Sequence, residues 1–379
     1  MDDKREIFID GTKLPHHPKR VVKWLMGESI YPLHVEISPS SACNHRCKIC
    51  CVDYKGHRAK KLSKALLQRL PGQLKETGVG SFVLAGEGEP LLNQNCAEFI
   101  NSSYKNGIDS AISTNGVFFT PEFSNLTLSS LSWARFSIQA PFKNEYDDIH
   151  RGHKDDFEKV LANIRYAVEY KRKNSLPVTL GIQQILVNEN WQLVLDEAKL
   201  AKSLGVDYFT VKRFSKHKNN TYDVPEDLWK KSIPQFEEAE KLSDSNFKSI
   251  IRINQFANQP RTYERCRGIP LISQILADGG VYPCCQFYDD PKFSYGNLNE
   301  HSLAEILDSS HARKIKKFIA EKMDISQCMT YCRHNSVNIY LESLLQDKHI
   351  AQMARDKDEA GLLKALEPPS KAPTHINFI

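Results

Sequence analysis

From residue 31 onward the apolar positions switch repeatedly between two periods. Short runs rich in β-branched and aromatic residues at 34–37, 81–85, 110–113, 135–138, 178–187 and 208–212 read as strands. Helical periodicity fills the gaps at 63–77 (with Pro71 marking a kink or break), 95–106, 157–173 and 191–204. Six such units predict an α/β fold: a parallel sheet with helices outside, curled by right-handed crossovers toward a partial (β/α)6 TIM-like barrel. Ligands of such sheets lie beyond the carboxyl ends of the strands, so the loops after each strand are where chemistry is expected.

The flanks read differently. Residues 1–30 form a leader with turn punctuation at Asp10-Gly11 and from Leu14 to Pro18, then a short helix over 20–26; it is too short for an independent peptide-binding domain. Beyond a barrel of 31–218, a polar bridge at 219–262 carries a helix over 225–242, and 263–335 holds a second group of cysteines. In 336–379 a helix over 337–357 presents Val337, Tyr340, Leu341, Leu344 and Leu345 on one face, a stripe expected to pack on the cysteine-bearing region. The tail, with Pro368, Pro369 and Pro373 before the apolar His375-Ile-Asn-Phe-Ile379, either docks on the body or is disordered.

Composition narrows the class. With 379 residues, 41% apolar and 26% charged, the chain suits a globular protein. Its net charge of +5 is too small to imply general nucleic-acid affinity, and the basic residues Arg58, Lys60, Lys61, Lys64 and 212–218 are the only support for an RNA partner. No signal peptide or membrane-length apolar run is present, so a cytoplasmic protein with no membrane partner is expected. Ten cysteines clustered at 43–51, 266–285 and 328–332 then point to metal sites rather than disulfides.

The loop after the first strand carries Cys43, Cys47 and Cys50 at the spacing C-x3-C-x2-C. Three thiolates hold three irons of a [4Fe-4S] cubane and leave the fourth open for another ligand. A zinc knuckle or buried free thiols are the alternatives, although zinc motifs usually pair C-x2-C units. After the second strand comes Gly86-Glu87-Gly88-Glu89-Pro90, where glycine admits a ligand close to the backbone and an acid can pair with an ammonium. Thr114-Asn115-Gly116 follows the third strand, with a plain Asn-Gly turn as the alternative. Ser137-Ile138-Gln139-Ala140 and His150-Arg151-Gly152 follow the fourth. Lys212-Arg213-Phe214-Ser215-Lys216-His217-Lys218 follows the sixth and suits phosphate or carboxylate recognition, unless it is a solvated face. Further on, Cys266, twelve residues, Gly279, four residues and Cys284 precede Cys328 and Cys332, four thiolates that close one cluster or one zinc site.

This set of motifs, over residues 31–335, resembles the radical S-adenosylmethionine (SAM) superfamily with a C-terminal SPASM/Twitch-type auxiliary domain. The resemblance implies that the open iron chelates SAM and that an electron splits it to methionine and a 5′-deoxyadenosyl radical. It further implies cofactor contacts from Gly86, Glu87, Gly88 and Glu89 to the SAM amino group, from Thr114 and Asn115, from Ser137 near the ribose, from Gln139, and from Arg151 to the carboxylate unless Arg151 forms a surface ion pair. Cys266, Cys284, Cys328 and Cys332 would hold an auxiliary [4Fe-4S] cluster, with Cys285 spare. Four departures stand out: Glu87 where glycine is commoner, Gln139-Ala140 for Asp-Gly, Ile49 where an aromatic is frequent, and three residues between Cys328 and Cys332.

Within that family, the resemblance to members with one auxiliary cluster rather than two implies a small polar metabolite of sugar or cyclitol type, contacted by Lys212 and Arg213, and its dehydrogenation. A flavodoxin, ferredoxin or reductase would donate electrons. Radical epimerisation, with Cys51 or Cys285 as hydrogen donor (Cys96 reads as core), and peptide maturation are the alternatives.

Overall fold

The computed structural model describes residues 13–256, 261–329 and 332–379; the Asp10-Gly11 turn lies outside them. Ten strands make one sheet in the order β10-β9-β8-β1-β2-β3-β4-β5-β6-β7. β1 (His34–Ile37), β2 (Ser81–Leu84), β3 (Asp109–Thr114), β4 (Leu131–Ser137), β5 (Thr179–Leu186), β6 (Tyr208–Arg213) and β7 (Lys248–Ile251) pair in parallel, each with the next. β8 (Ile272–Ile275) pairs in parallel with the other edge of β1, and β9 (Gly280–Tyr282) and β10 (Gly296–Asn297) continue antiparallel.

Helix α1 (Pro18–Leu25) precedes β1, and α2 (Lys64–Glu76), α3 (Cys96–Lys105), α4 (Pro121–Thr127), α5 (Lys143–His150), α6 (Asp156–Lys173) and α7 (Val194–Leu204) fill the crossovers. Between β6 and β7 lie α8 (Leu228–Lys231) and α9 (Ile233–Glu240); α10 (Ile253–Phe256), α11 (Leu303–Asp308), α12 (Ser310–Glu321), α13 (Asn335–Gln346), α14 (Lys348–Arg355) and α15 (Glu359–Ala365) follow. Helix α2 runs unbroken through Pro71, started by Ser63 accepting the Leu66 N–H and held down by buried Leu66, Leu70 and Leu74. The helix expected over 337–357 is two helices, because Asp347 leaves helical geometry and caps α14 through the N–H groups of His349 and Ile350.

The expected six-stranded barrel is extended at both edges. β7 was hidden in the polar bridge, and β8 belongs to the cysteine-bearing hairpin, which therefore continues the barrel's own sheet. The C-terminal stripe packs on the cysteine-bearing region as expected, and on α1 as well: Val337, Leu341 and Leu344 meet Leu271 and Ile272 at β8 and Val21 and Val22 of α1, while Leu345 is exposed.

Alternation along the strands separates two environments. Val35 and Ile37, Phe82 and Leu84, Ala134 and Phe136, Leu180 and Ile182, and Phe209 and Val211 face the helices in one apolar core. The alternate positions face inward, and in the upper part of the barrel they are polar: Glu36, Arg135, Gln183, Lys212. Parallel strands buried on both faces are normally apolar throughout, so a polar inner face marks a chamber rather than a packed core.

The lower mouth is closed by the tail, which resolves the choice between docking and disorder. Phe378 packs with Val83, Ala111 and Trp133. Around it Ser81 Oγ donates to Asn377 O at 2.6 Å, Asn377 Nδ2 to Asp109 Oδ2 at 2.8 Å, and His375 Nε2 meets Thr179 Oγ1 at 2.9 Å. These partners stand at the first residues of β2, β3 and β5, the end opposite the candidate loops.

Candidate active site

The loop after β1 places its three thiols against N–H groups. Cys43 Sγ accepts the His45 backbone N–H at 3.4 Å, Cys47 Sγ lies 3.6 Å from His150 Nδ1, and Cys50 Sγ lies 3.8 Å from His57 Nε2. His150 Nε2 accepts the Gln139 N–H at 3.2 Å, so its proton sits on Nδ1 and is donated to Cys47. Burial, reinforced by His45, holds that imidazole neutral with its pKa well below the ordinary value. Tyr146 stacks on it at 4.0 Å. His45 Nε2 bonds Asp156 Oδ2 at 3.0 Å, and Gly152 makes room for the ring, since a Cβ there would stand 2.5 Å from it. His150 and Gly152 thus support the cysteine loop. Arg151, by contrast, is the exposed left-handed cap of α5 (φ 50°).

Burial lifts the pKa of the Cys43 thiol to about 11 and that of Cys50 to about 12, and, with help from both neighbours, raises that of Cys47 well above the ordinary thiol value. Crowded buried thiols resist ionisation unless a metal shares the charge, and N–H donors around the sulfurs favour the metal-bound thiolate. The donor set therefore fits a thiolate-held iron-sulfur cluster. His45, Cys47 and His150 also bring ligand atoms within 4.8 Å of one another, but Cys47 belongs to the triplet, so the trio is part of the same site.

The next two loops lock onto the first. Gly88 lies so close that a Cβ would stand 2.2 Å from Ala42 O, and Gly86 adopts φ +98° against Ser38. Glu89 is buried and accepts from Leu91 N at 3.1 Å, Thr114 Oγ1 at 2.6 Å and Asn115 N at 2.9 Å. Burial raises its pKa against the pull of those donors. Asn115 Nδ2 donates to Asn44 Oδ1 at 2.7 Å, tying the third loop to the cysteines. Two expected cofactor contacts are otherwise engaged. Glu87 accepts the Ala277 N–H at 2.7 Å and pairs with Lys55 Nζ at 2.6 Å, latching the cysteine loop to the β8–β9 hairpin. Gln139 accepts the Ile185 N–H on its side-chain oxygen at 2.7 Å. Ser137 stays partly exposed at the inner end of β4.

The second thiol set is assembled from three segments. The turn before β9 needs Gly279 at φ +86°, and Cys284 follows β9. Burial and then Cys332 push Cys266 up to about 12, while Cys284 is raised by burial and by Cys285, Cys266 and Cys332. Asn338 Nδ2 reaches Cys266 Sγ at 3.8 Å, and Arg261 holds the carbonyls of Ile325 and Met329 beside Cys328. Two of the residues between Cys328 and Cys332 lie outside the described ones. The four half-buried thiols, near enough to raise one another's pKa, fit a second cluster.

Between the two sets lies the polar inner layer. Arg333, next to Cys332, pairs with Glu36 of β1. Burial alone would raise Glu36, and Arg333 overrides it to hold the carboxyl low. Tyr288 OH bonds Gln274 and stands 3.3 Å from Glu36. Lys212 points into this layer: burial first, then Arg135, Arg252 and Arg333, bring its pKa down to about 7. The charges of Arg333 and Glu36 act on both the Cys51 and Cys285 thiols, Cys51 being exposed and Cys285 half-buried. Arg213, one residue along, faces the opposite side and donates to Phe256 O and Glu226 O, each at 2.9 Å, which removes it from substrate contact. Sequence reading missed Glu36, Arg135, Arg333 and His45, and named His150 only as part of a loop motif. Single charges flanked by strand apolars, as in Val35-Glu36-Ile37 and Ala134-Arg135-Phe136, were the available signal.

A cluster-bearing barrel of this form is matched by two family models: the radical SAM superfamily over residues 37–201 and the SPASM iron-sulfur cluster-binding domain over 266–334. The chain carries a radical SAM domain and a SPASM domain; its cofactors are a SAM-binding cluster, SAM and an auxiliary cluster. It is 23% identical over 303 residues to a tungsten-containing aldehyde ferredoxin oxidoreductase cofactor-modifying protein of Pyrococcus furiosus, covering 73% of this chain and 80% of that one. Its fold is similar to SuiB of Streptococcus suis bound to S-adenosylmethionine (TM-score 0.62, 16% identity, 89% of this chain and 80% of that one). It is also similar to anSMEcpe with AdoMet and the Cp18Cys peptide (TM-score 0.57, 18% identity, 86% and 99%). No helix among the described residues is long and apolar enough to cross a membrane.

Proposed function

We propose that this enzyme dehydrogenates a small polar substrate seated in the inner layer of the barrel. Cys43, Cys47 and Cys50 are the residues that would hold the SAM cluster, and Cys266, Cys284, Cys328 and Cys332 the auxiliary one. When bound, these groups supply a 5′-deoxyadenosyl radical on one side and an electron acceptor on the other, with a flavodoxin- or ferredoxin-type donor as reductant. The chain's own residues do the rest. His150 and the His45 amide tune the first thiols, Glu89 fixes the Thr114-Asn115 turn where SAM docks, and Lys212 and Arg135 orient the substrate. The observation that carries the reading is the polar layer lying between two thiol sets, joined to the second by Arg333 paired with Glu36. A metabolite of sugar or cyclitol type fits that layer. A peptide side chain is the other form in which a polar group would reach it, anSMEcpe having been captured with a peptide.

Radical epimerisation is the second reading, favoured by two thiols outside the ligand sets, Cys51 and Cys285, on which the charges of Arg333 and Glu36 in that layer act. Turnover in deuterated water separates the two. A product two hydrogens lighter, formed equally by Cys51→Ala and Cys285→Ala, is expected. A product isomeric with the substrate, carrying solvent deuterium and lost in either variant, would sink dehydrogenation.

A further inference from the structure

Among the described residues, the inner layer carries more basic than acidic side chains. Glu36 is paired with Arg333 and lies against the Tyr288 hydroxyl. Arg135 on β4, Lys212 on β6 and Arg252 just past β7 line the same layer, and β5 lies between the first two with Ser137↔Gln183 and Ile185↔Lys212 in register. Under Arg135 lies the Trp133 ring, 5.2 Å from the guanidinium. Around Lys212 the acting neighbours are the like-charged Arg135, Arg252 and Arg333, with the Cys51 thiol as the opposing influence.

Several buried polar atoms of this layer have no partner among the described residues: Arg135 Nε, Gln274 Nε2 and Gln183 Oε1. Gln183 and Gln274 are only 4% and 1% exposed. Two of the three atoms are N–H donors, and buried donors are rarely left without an acceptor. A guanidinium cannot shed its proton to escape burial, and the carboxylate acting on Arg135, Glu36, is already paired with Arg333, so an anion from outside the chain is what would complete its neutralisation. A neutral polyol would satisfy hydrogen bonds and leave the charge uncompensated.

Resting on the reading above, in which this layer receives the substrate, we propose that the substrate group seated there is an anion, a carboxylate or a phosphate monoester, held by Arg135 and Lys212 with Arg252 at their edge. The substrate class narrows accordingly, from a polar metabolite to an acid or a phosphate ester, or to an acidic side chain presented by a larger molecule.

The test is calorimetric titration of the reconstituted holoenzyme at constant ionic strength with inorganic phosphate, succinate and, as neutral control, myo-inositol. One anion binds and inositol does not; preference for phosphate assigns a phosphate monoester and preference for succinate a carboxylate. Arg135→Met and Lys212→Met each weaken that binding by roughly tenfold or more, the loss of a charge-assisted contact, while SAM affinity stays that of the parent. Iron content and circular dichroism report folding, and Lys212→Met alone carries the test if Arg135→Met does not fold. Binding of neither anion, equal binding of inositol, parent-like anion binding in a folded variant, or SAM affinity falling in step overturns the proposal, the last by assigning the cations to SAM. Formation of 5′-deoxyadenosine by the parent without added anion is scored separately: its absence sinks the functional reading and leaves the anion result standing.

Discussion

The two thiol sets differ in how far the chain travels to build them. Cys43, Cys47 and Cys50 share one loop, and their N–H partners come from that loop and from the end of α5. Cys266, Cys284, Cys328 and Cys332 come from segments on either side of a hairpin whose first strand must pair with β1 before the thiols meet. The difference follows from what each site has to do. A site with a free corner needs only three ligands, which one loop can present from one side, whereas a closed site must be approached from several directions. The first set is thus a local feature and the second a product of the fold.

The sharpest test of this contrast is metal content. Reconstituted without oxygen, the protein is expected to hold about eight irons in two cubanes, and the combined Cys43→Ala, Cys47→Ala, Cys50→Ala variant about four. That variant loses all SAM cleavage while keeping its fold, because the missing thiols belong to a loop and not to the sheet. The reciprocal Cys284→Ala variant keeps slow cleavage of SAM to 5′-deoxyadenosine and loses product. A triple variant with the parent's iron content would break the assignment of the first set.

How much of this was legible follows from the same contrast. Strand β1 and the loop motifs stood out in the sequence because each is a contiguous run whose residue types speak for themselves, Cys43 to Cys50 above all. β8 did not, since Ile272-Ser-Gln-Ile275 looks like half of a hairpin and only its pairing with β1 makes it part of the barrel. Side-chain destinations were the hardest to read. Lys212 and Arg213 are neighbours of the same charge, and the strand's two-residue period sends one into the chamber and the other to the carbonyls of Phe256 and Glu226. Glu87 and Gln139 sit within recognisable motifs, yet their partners, Ala277 and Ile185, are remote in sequence.

Glu87 is where the two regions are physically joined, so its removal probes their dependence on one another. Lys55 Nζ also meets Asp289 Oδ2 at 2.9 Å and lies 5.0 Å from the centre of the Tyr288 ring, so Glu87→Ala leaves it partly compensated. The Ala277 N–H loses its acceptor. A destabilisation of about 1–3 kcal/mol, the cost of a buried donor left unmet, is expected in chemical denaturation. Uncoupled SAM cleavage should survive this change better than product formation, because the auxiliary hairpin is the element released. Equal loss of both would show that the latch serves the first site alone.

The smallest expected effect lies within the first set, and it isolates electronic tuning from assembly. His150 donates its Nδ1 proton toward Cys47 Sγ at 3.6 Å while Nε2 accepts from Gln139 N at 3.2 Å. His150→Phe keeps an aromatic ring to stack on Tyr146 and removes both contacts. All three thiols remain, so iron content should match the parent, with stability lower by about 1–3 kcal/mol for the orphaned Gln139 N–H. A hydrogen bond to a ligating sulfur stabilises the reduced, more negative cluster, so losing it should move the midpoint potential to a more negative value and slow SAM cleavage by a weak reductant more than by a strong one. Potentiometric titration followed by electron paramagnetic resonance reads the shift. An unchanged potential at full iron content would mean that the imidazole only props the loop against α5 and donates nothing to the sulfur.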